Sequence, residues 1–312
     1  MAQTIQKAPG KIILFGEHAV VFGQPAIAVP IPQRYATVAI EPIIRGDEPT
    51  RIIAPDIDLN LPLSEVSEDL PFALICELVK EHGKLHHLPA MKIHIHSTIP
   101  VASGLGSGAA VSVAMARALC TFLGVKHDDA EISSIAFEAE KVLHGNPSGI
   151  DNTVIAYQKG ILYQKEHAMQ WLTIKEPIHL LIVNSGEQKS TKTMVDLVAT
   201  RISENPDEMQ QKIEQIGLIT LHAKEILSQG NLVALGTAMM ENHQLLKDLG
   251  VSTPALDQLV ALANQHNAYG AKLSGAGGGG NMIILASKDN ISNIEESVIQ
   301  AGYPNTIQAI IQ

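Results

Sequence analysis

The chain has 312 residues, 46% hydrophobic and 17% charged. That is globular composition with enough apolar mass for one large or two medium domains, and it excludes a disordered chain. A formal charge of −10 with 4% aromatic residues argues against a nucleic-acid or anionic-membrane surface, and two cysteines, Cys76 and Cys120, are too few for a zinc cage or a disulfide framework.

With no apolar signal core at the start and no run of about 18 apolar residues, the expectation is a soluble, cytoplasmic protein. The first third reads as β-rich: residues 11–15, 26–30, 36–42 and 51–54 are short apolar or β-branched runs separated by Gly, Pro and Asp. A helix is predicted over 70–82. A strand follows over 91–97, with Met91, Ile93 and Ile95 on one face and Lys92, His94 and His96 on the other. Residues 109–123 are apolar nearly all round, as in a helix buried in a core. The next helix, 128–143, has Asp128 or Asp129 as its N-cap. At about 100° per residue, Glu138 and Lys141 point away from its apolar stripe, whereas Glu140 falls on the edge.

Strands are predicted at 153–156 and 161–163, then a domain boundary near 175, dividing 1–175 from 176–312. A strand at 179–184 leads to helices at 206–227, 231–249 and 253–266. A strand (282–286), a helix (291–301) and a final strand (306–311) close the chain. Strands and helices mix in both halves without strict βαβ alternation, so the fold class is α+β.

Gly104-Leu105-Gly106-Ser107-Gly108-Ala109 contains G-x-G-x-x-A, but a helix rather than the second strand of a βαβ unit follows it, so a dinucleotide fold is not indicated. G-x-x-x-x-G-K-[ST] is absent from the chain, which argues against an ordinary P-loop. Small residues before a helix N-terminus still suit an anion, and the Ser103 and Ser107 hydroxyls can reach phosphate or a metal. A turn kept tight for helix packing is the alternative, and both remain open on these residues alone.

Residues 275–280 hold five glycines in six positions. They read as a loop packed against a ligand or another loop, or as a flexible linker. Lys11, Glu17 and His18 sit beside an apolar strand, where charge is costly unless paired, and three together suggest a site. Asp151 emerges from a Pro/Gly turn, a common place for a mere cap, and Glu140, eleven residues earlier, could bind a metal. His86, His87, His94 and His96 lack a completing ligand set and are expected to face solvent, as are Asp47-Glu48 and Glu295-Glu296.

Three motifs, taken in order, resemble the superfamily of galactokinase, homoserine, mevalonate and phosphomevalonate kinases. They are Lys7-Ala-Pro-Gly-Lys11-Ile-Ile-Leu-Phe-Gly-Glu17-His18, Pro100-Val101-Ala102-Ser103-Gly104-Leu105-Gly106-Ser107-Gly108-Ala109-Ala110, and Lys272-Leu-Ser-Gly-Ala276-Gly-Gly-Gly-Gly280. They span residues 7 to 280. Within that superfamily, Glu140-Lys-Val-Leu143-His-Gly-Asn-Pro-Ser-Gly-Ile-Asp151-Asn152 and Ser190-Thr191-Lys192 resemble the mevalonate-phosphorylating branch. Ser274 stands where Thr is common and Asn281 where Cys is common.

The resemblance implies an N-terminal domain like ribosomal protein S5 and a C-terminal ferredoxin-like domain. It implies ATP-dependent phosphorylation of the C5 hydroxyl of (R)-mevalonate with Mg²⁺. Residues Pro100 to Ala110 would wrap the triphosphate, and Ser107 and Glu140 would be the metal ligands. Asp151 would be the catalytic carboxylate, with Lys11 its cationic partner. Lys11, Glu17, His18, Leu143, Asp151, Thr191 and Ala276 would surround the substrate. Small-molecule partners and a homodimer are implied. Related kinases of phosphomevalonate or homoserine, or a non-catalytic ATP-binding sensor, are the alternatives.

Overall fold

The structure, a computed structural model, describes residues 3–44, 48–101, 103–145, 147–187 and 189–312, with only the backbone of His144. Asp47, Ala102 and Asn146, named above, lie outside the described residues. The chain forms two compact units. One comprises Met1–Lys11 and Arg34–Gln158, the other Ile12–Gln33 and Lys159–Gln312. They are not consecutive in sequence because two long strands, β1 (Thr4–Phe15) and β2 (Ala26–Pro42), each contribute to both.

In the first unit, β2 pairs antiparallel with β5 (Met91–Ser97). Strand β5 runs parallel to β3 (Arg51–Ala54), which pairs antiparallel with β4 (Leu59–Pro62). The predicted alternation holds: Met91, Ile93 and Ile95 are buried, while His96 meets Asp56 at 3.0 Å and His94 meets Glu41 at 3.8 Å near the surface. Four helices follow: α1 (Phe72–His82), α2 (Ser107–Leu123), α3 (Asp129–His144) and α4 (Ile150–Tyr157). Helix α2 buries alanines on most of its circumference, as its all-round apolar sequence predicts. Asp128 caps α3 in a reciprocal capping box with Glu131. Glu138 and Lys141 pair on its outer face at 2.7 Å.

Helix α4 replaces the strand predicted at 153–156. Thr153, Val154 and Ile155 favour a strand by propensity, but packing against α2 and α3 overrides it. Asn152 donates to the Ser133 carbonyl and hydroxyl on α3 (3.0 and 2.9 Å), and the Thr153 hydroxyl donates to Gly149 O (2.7 Å).

The second unit carries strands β6 (Ile161–Tyr163) and β7 (Gln170–Trp171) beside the start of β2. Its main sheet is four-stranded and antiparallel, ordered β11–β8–β10–β9, built from β8 (Ile178–Asn184), β9 (Gly270–Ser274), β10 (Asn281–Ala286) and β11 (Thr306–Ile311). Helices α5 (Thr191–Glu204), α6 (Pro206–Gln229), α7 (Leu232–Asp248), α8 (Pro254–Gln265) and α9 (Ile291–Gln300) complete it. Strand β9 and helix α5 are absent from the sequence-based assignment. The core packs Leu181, Val183, Ala271, Leu273, Met282 and Ile284 against helical residues such as Ile213, Leu246 and Leu259.

Helix α7 lies directly on the start of β9. A Cβ at Gly236 would stand 2.1 Å from Tyr269 O, and one at Gly270 would stand 2.1 Å from Gly236 O. Both units mix helices with mainly antiparallel strands, the expected α+β class. Among the described residues no helix is long and apolar enough to cross a membrane.

Candidate active site

The first unit assembles a charged cluster around Lys11 of β1. Lys11 Nζ lies 3.0 Å from Asp151 Oδ1. Lys11 is 8% exposed, so its ammonium needs such a partner. Asp151 is the second residue of α4, where a carboxylate also meets the positive end of the helix. Glu140 reaches the same cluster from α3 and is buried. Burial first, then the nearby Asp151 charge, push its carboxyl up to about 7, partly offset by Lys11. Two carboxylates and one lysine therefore share a poorly hydrated space.

The glycine segment lies against this cluster. Gly106 sits at φ 74° before α2, and a Cβ there would come 2.9 Å from Lys11 Cγ and 3.0 Å from Ile155 Cδ1. Only glycine meets both the left-handed conformation and the close approach. The Lys11 amide donates to Leu105 O at 2.9 Å. The Ser103 hydroxyl folds back to Pro100 O at 2.7 Å. Leu105, Ala109 and Ala110 are buried, whereas Pro100, Val101 and Gly104 are exposed; Ser107 and Gly108 open the first turn of α2 and are half-buried. The first amides of a helix have no acceptor within it, and no acidic residue lies in this first turn, so the loop presents an anion-binding end.

A hard cation fits the donor set. Ser107 offers a hydroxyl and Glu140 a carboxylate, and a Cβ at Gly108 would stand 3.5 Å from Glu140 Oε1 and 2.8 Å from Leu143 Cδ1. Glu140 and Leu143 of α3 thus pack against the first turn of α2, which carries Ser107. Among the described residues there is no group of three or more His, Cys, Asp and Glu that could hold a metal. A cation here would draw its remaining oxygens from a ligand or from water.

The second unit assembles its own polar cluster at the other end of the same sequence motif. Glu17 and His18 are buried. His18 has φ 59° and ψ −49°, and the Ala19 amide donates across it to Glu17 O at 2.6 Å. This is a γ-turn of the strained kind, worth about 1–3 kcal/mol of strain for a side chain with a Cβ. The His18 ring secures it: Nε2 donates to Ala276 O at 2.7 Å. Burial lowers the His18 pKa, against the raising effect of that hydrogen bond. In the neutral ring the proton sits on Nε2, which leaves Nδ1 as an acceptor.

Residues 275–280 are a built loop rather than a linker. Gly278 N donates to Val251 O and Gly280 N to Glu187 O, each at 2.7 Å, and a Cβ at Gly279 (φ 108°) would stand 2.3 Å from Glu187 O. Thr191 opens α5 and is exposed; Lys189 just before it and Met194 within α5 both pack on Gly278.

The expected site residues thus gather in two sets. Lys11, Glu140, Leu143, Asp151 and the glycine segment belong to the first unit, and Glu17, His18, Thr191 and Ala276 to the second. Neither cysteine joins them; burial pushes Cys76 up to about 12 and Cys120 up to about 11. The structure adds one charged residue to the second set: Lys272, fully buried on β9 and ion-paired with Glu17. The signal for it was present, a lysine inside an otherwise small and apolar motif.

The comparisons with known proteins identify the family. The family model for the GHMP kinases N-terminal domain matches residues 69–160, and that for the GHMP kinases C-terminal region matches 223–305. The mevalonate kinase of Pyrococcus furiosus is 36% identical over 303 residues, covering 91% of this chain and 89% of that protein. Among solved structures, the mevalonate kinase of Methanococcus jannaschii superposes with a TM-score of 0.87 at 26% identity, covering 100% of this chain and 99% of that one. The mevalonate kinase of L. major in complex with R-mevalonate gives 0.82 at 29% identity, covering 100% and 96%. With a lysine–aspartate pair against a glycine-rich helix start, and with relatives of this identity along nearly its whole length, the chain belongs to the mevalonate kinases of the GHMP kinase family.

Proposed function

We propose that the chain transfers the γ-phosphoryl group of ATP to the C5 hydroxyl of (R)-mevalonate, giving ADP and 5-phosphomevalonate, a step of isoprenoid synthesis. The observation that carries this reading is the Lys11–Asp151 pair at 3.0 Å, lying beside a phosphate-type loop. Phosphoryl transfer demands positioning and charge neutralisation more than covalent chemistry. Residues Pro100 to Ala110, with the first amides of α2, bind the triphosphate. A kinase of this family uses ATP with a divalent metal, for which we take Mg²⁺, held by Ser107 and Glu140. When bound, that ion supplies charge to offset the phosphate oxygens.

Asp151 accepts the C5-hydroxyl proton as the oxygen attacks phosphorus, and Lys11 holds the carboxylate in place while offsetting negative charge on the transferring group. Glu17, His18, Leu143, Thr191 and Ala276 surround the acceptor. Because His18 Nε2–H is committed to Ala276 O, its Nδ1 can only accept. It therefore suits a substrate hydroxyl and not a carboxylate. In the same reading residues 1–175 and 176–312 are the two kinase domains, and the protein is cytoplasmic and homodimeric.

The test is ADP release with Mg·ATP and, in turn, mevalonate, phosphomevalonate, homoserine and galactose. Turnover with mevalonate alone supports the reading. Turnover with another acceptor overturns the pocket assignment, and silence with ATP still bound points to a sensor. Glu140→Gln tests the metal assignment: the variant should need a higher Mg²⁺ concentration for half-maximal rate, and a Mg²⁺ titration that overlays that of the unmodified enzyme would remove Glu140 from the ligand set.

A further inference from the structure

Lys272 is 0% exposed, and its ammonium pairs with Glu17 Oε1, whose side chain is also buried. The same ammonium donates to Leu273 O at 2.7 Å and lies 5.8 Å from the centre of the Phe15 ring. Burial lowers the Lys272 pKa, with Glu17 opposing that effect. Desolvating two ions costs several kcal/mol each, and an apolar pair of the same volume commonly serves stability as well or better. Packing alone therefore does not account for this pair.

Its surroundings are arranged about the chain reversal that carries Glu17 and His18. Along β9, Ala271 and Leu273 enter the core, which turns Lys272 and Ser274 to the opposite face. There the Ser274 hydroxyl donates to Ile13 O at 2.7 Å, and two residues further on Ala276 O accepts from His18. The β1 end is thus held by Lys272, Ser274 and Ala276. Strand β9 is held in turn from α7 and α8: His243 Nδ1 accepts from the Leu273 amide at 3.3 Å, His243 Nε2 lies 3.7 Å from Asp257 Oδ1, and Lys247 pairs with Asp257 at 2.7 Å.

We propose that Lys272 is a positioning residue for the acceptor substrate: by binding Glu17 it fixes that carboxylate, charged and in one orientation, as an acceptor for a substrate hydroxyl. This rests on the proposed function, in which Glu17 borders the acceptor. Lys272 itself acts through Glu17.

The test is steady-state kinetics of the full-length enzyme across pH, for Lys272→Met, Lys272→Arg, Glu17→Gln and the double variant Glu17→Gln/Lys272→Met. Without the cation, the buried Glu17 takes up a proton more readily, since burial disfavours its charged form. Lys272→Met should raise the KM for mevalonate by about 10- to 100-fold at neutral pH, a size typical of losing support for a binding group. That KM should recover as pH rises, while the KM for ATP stays within about twofold, the ordinary scatter between variants that do not touch a ligand. Lys272→Arg should restore part of the loss.

The double variant removes both charges with groups of similar shape, so it keeps the proposal testable if Lys272→Met does not fold. Its KM should equal that of Glu17→Gln alone, because the two residues act as one unit. Three results overturn the proposal while leaving the enzyme's activity standing: a folded Lys272→Met with an unchanged mevalonate KM at every pH, equal losses in both substrates, or multiplicative effects in the double variant. Absence of any mevalonate-dependent turnover by the unmodified enzyme overturns the proposed function, and with it this proposal.

Discussion

Asp151→Asn should lower kcat by roughly 10²–10⁴, the range expected for loss of a positioned proton acceptor, with little change in thermal midpoint. That drop is about 3–5 kcal/mol of transition-state stabilisation. Asparagine keeps the shape and can still accept from Lys11, but its amide does not take up a proton. The Asp151 side chain is 31% exposed, so water can reach the site of the lost charge, and the Glu140 carboxylate beside Lys11 can supply the counter-charge to the buried ammonium. Single-turnover rates paired with thermal melts separate the two effects. Near-native turnover would exclude Asp151 from the chemistry, and a large fall in melting temperature would make the pair structural.

Gly236→Ala should destabilise the second unit by about 3 kcal/mol or more, the upper range for overpacking in a tight core. Helix propensity predicts the opposite sign, since alanine in a helix interior is better than glycine by about 1 kcal/mol. Sterics decide the outcome. The added methyl would stand 2.1 Å from Tyr269 O and 2.3 Å from Tyr269 C. These are backbone atoms at the start of β9 and cannot rotate away, so α7 must move off the strand. Urea unfolding monitored by circular dichroism measures it. A variant as stable as the parent would show that α7 moves off β9 with ease.

The α+β class and the buried charged residues were legible in the sequence; several of the elements around them were not. Lys11, Glu17, His18, Glu140 and Asp151 are charged or ionisable residues set in apolar or glycine-rich runs, and such residues must find partners once buried. The structure gives Lys11 and Asp151 to each other and His18 to Ala276. Lys272 carried the same signal but sat beside five glycines that drew attention to the backbone instead. The segment at 153–156 misled because β-branched residues also fit a short buried helix, and only its packing between α2 and α3 shows this. Helix α5 was hidden for a different reason: most of it is exposed, and only Met194 and Val198 are buried, so it has almost no apolar stripe to read. Strand β9 was obscured by its own contents, since Gly270 and a buried lysine do not look like a strand.

The hydrogen bond from the Lys11 amide to Leu105 O has a dynamic consequence. It fastens the glycine-rich segment to the strand bearing the ammonium, and Gly10, with no room for a methyl beneath the same carbonyl, keeps the two backbones in contact. Segment and strand cannot fluctuate independently while that bond holds. Opening of the glycine-rich segment exposes the Lys11 amide to solvent, so its hydrogen exchange counts how often the segment lifts, and any ligand that clamps the segment also steadies the ammonium. If the segment binds phosphates as proposed, grip on them and readiness of the cation are one motion, recorded at one peptide group.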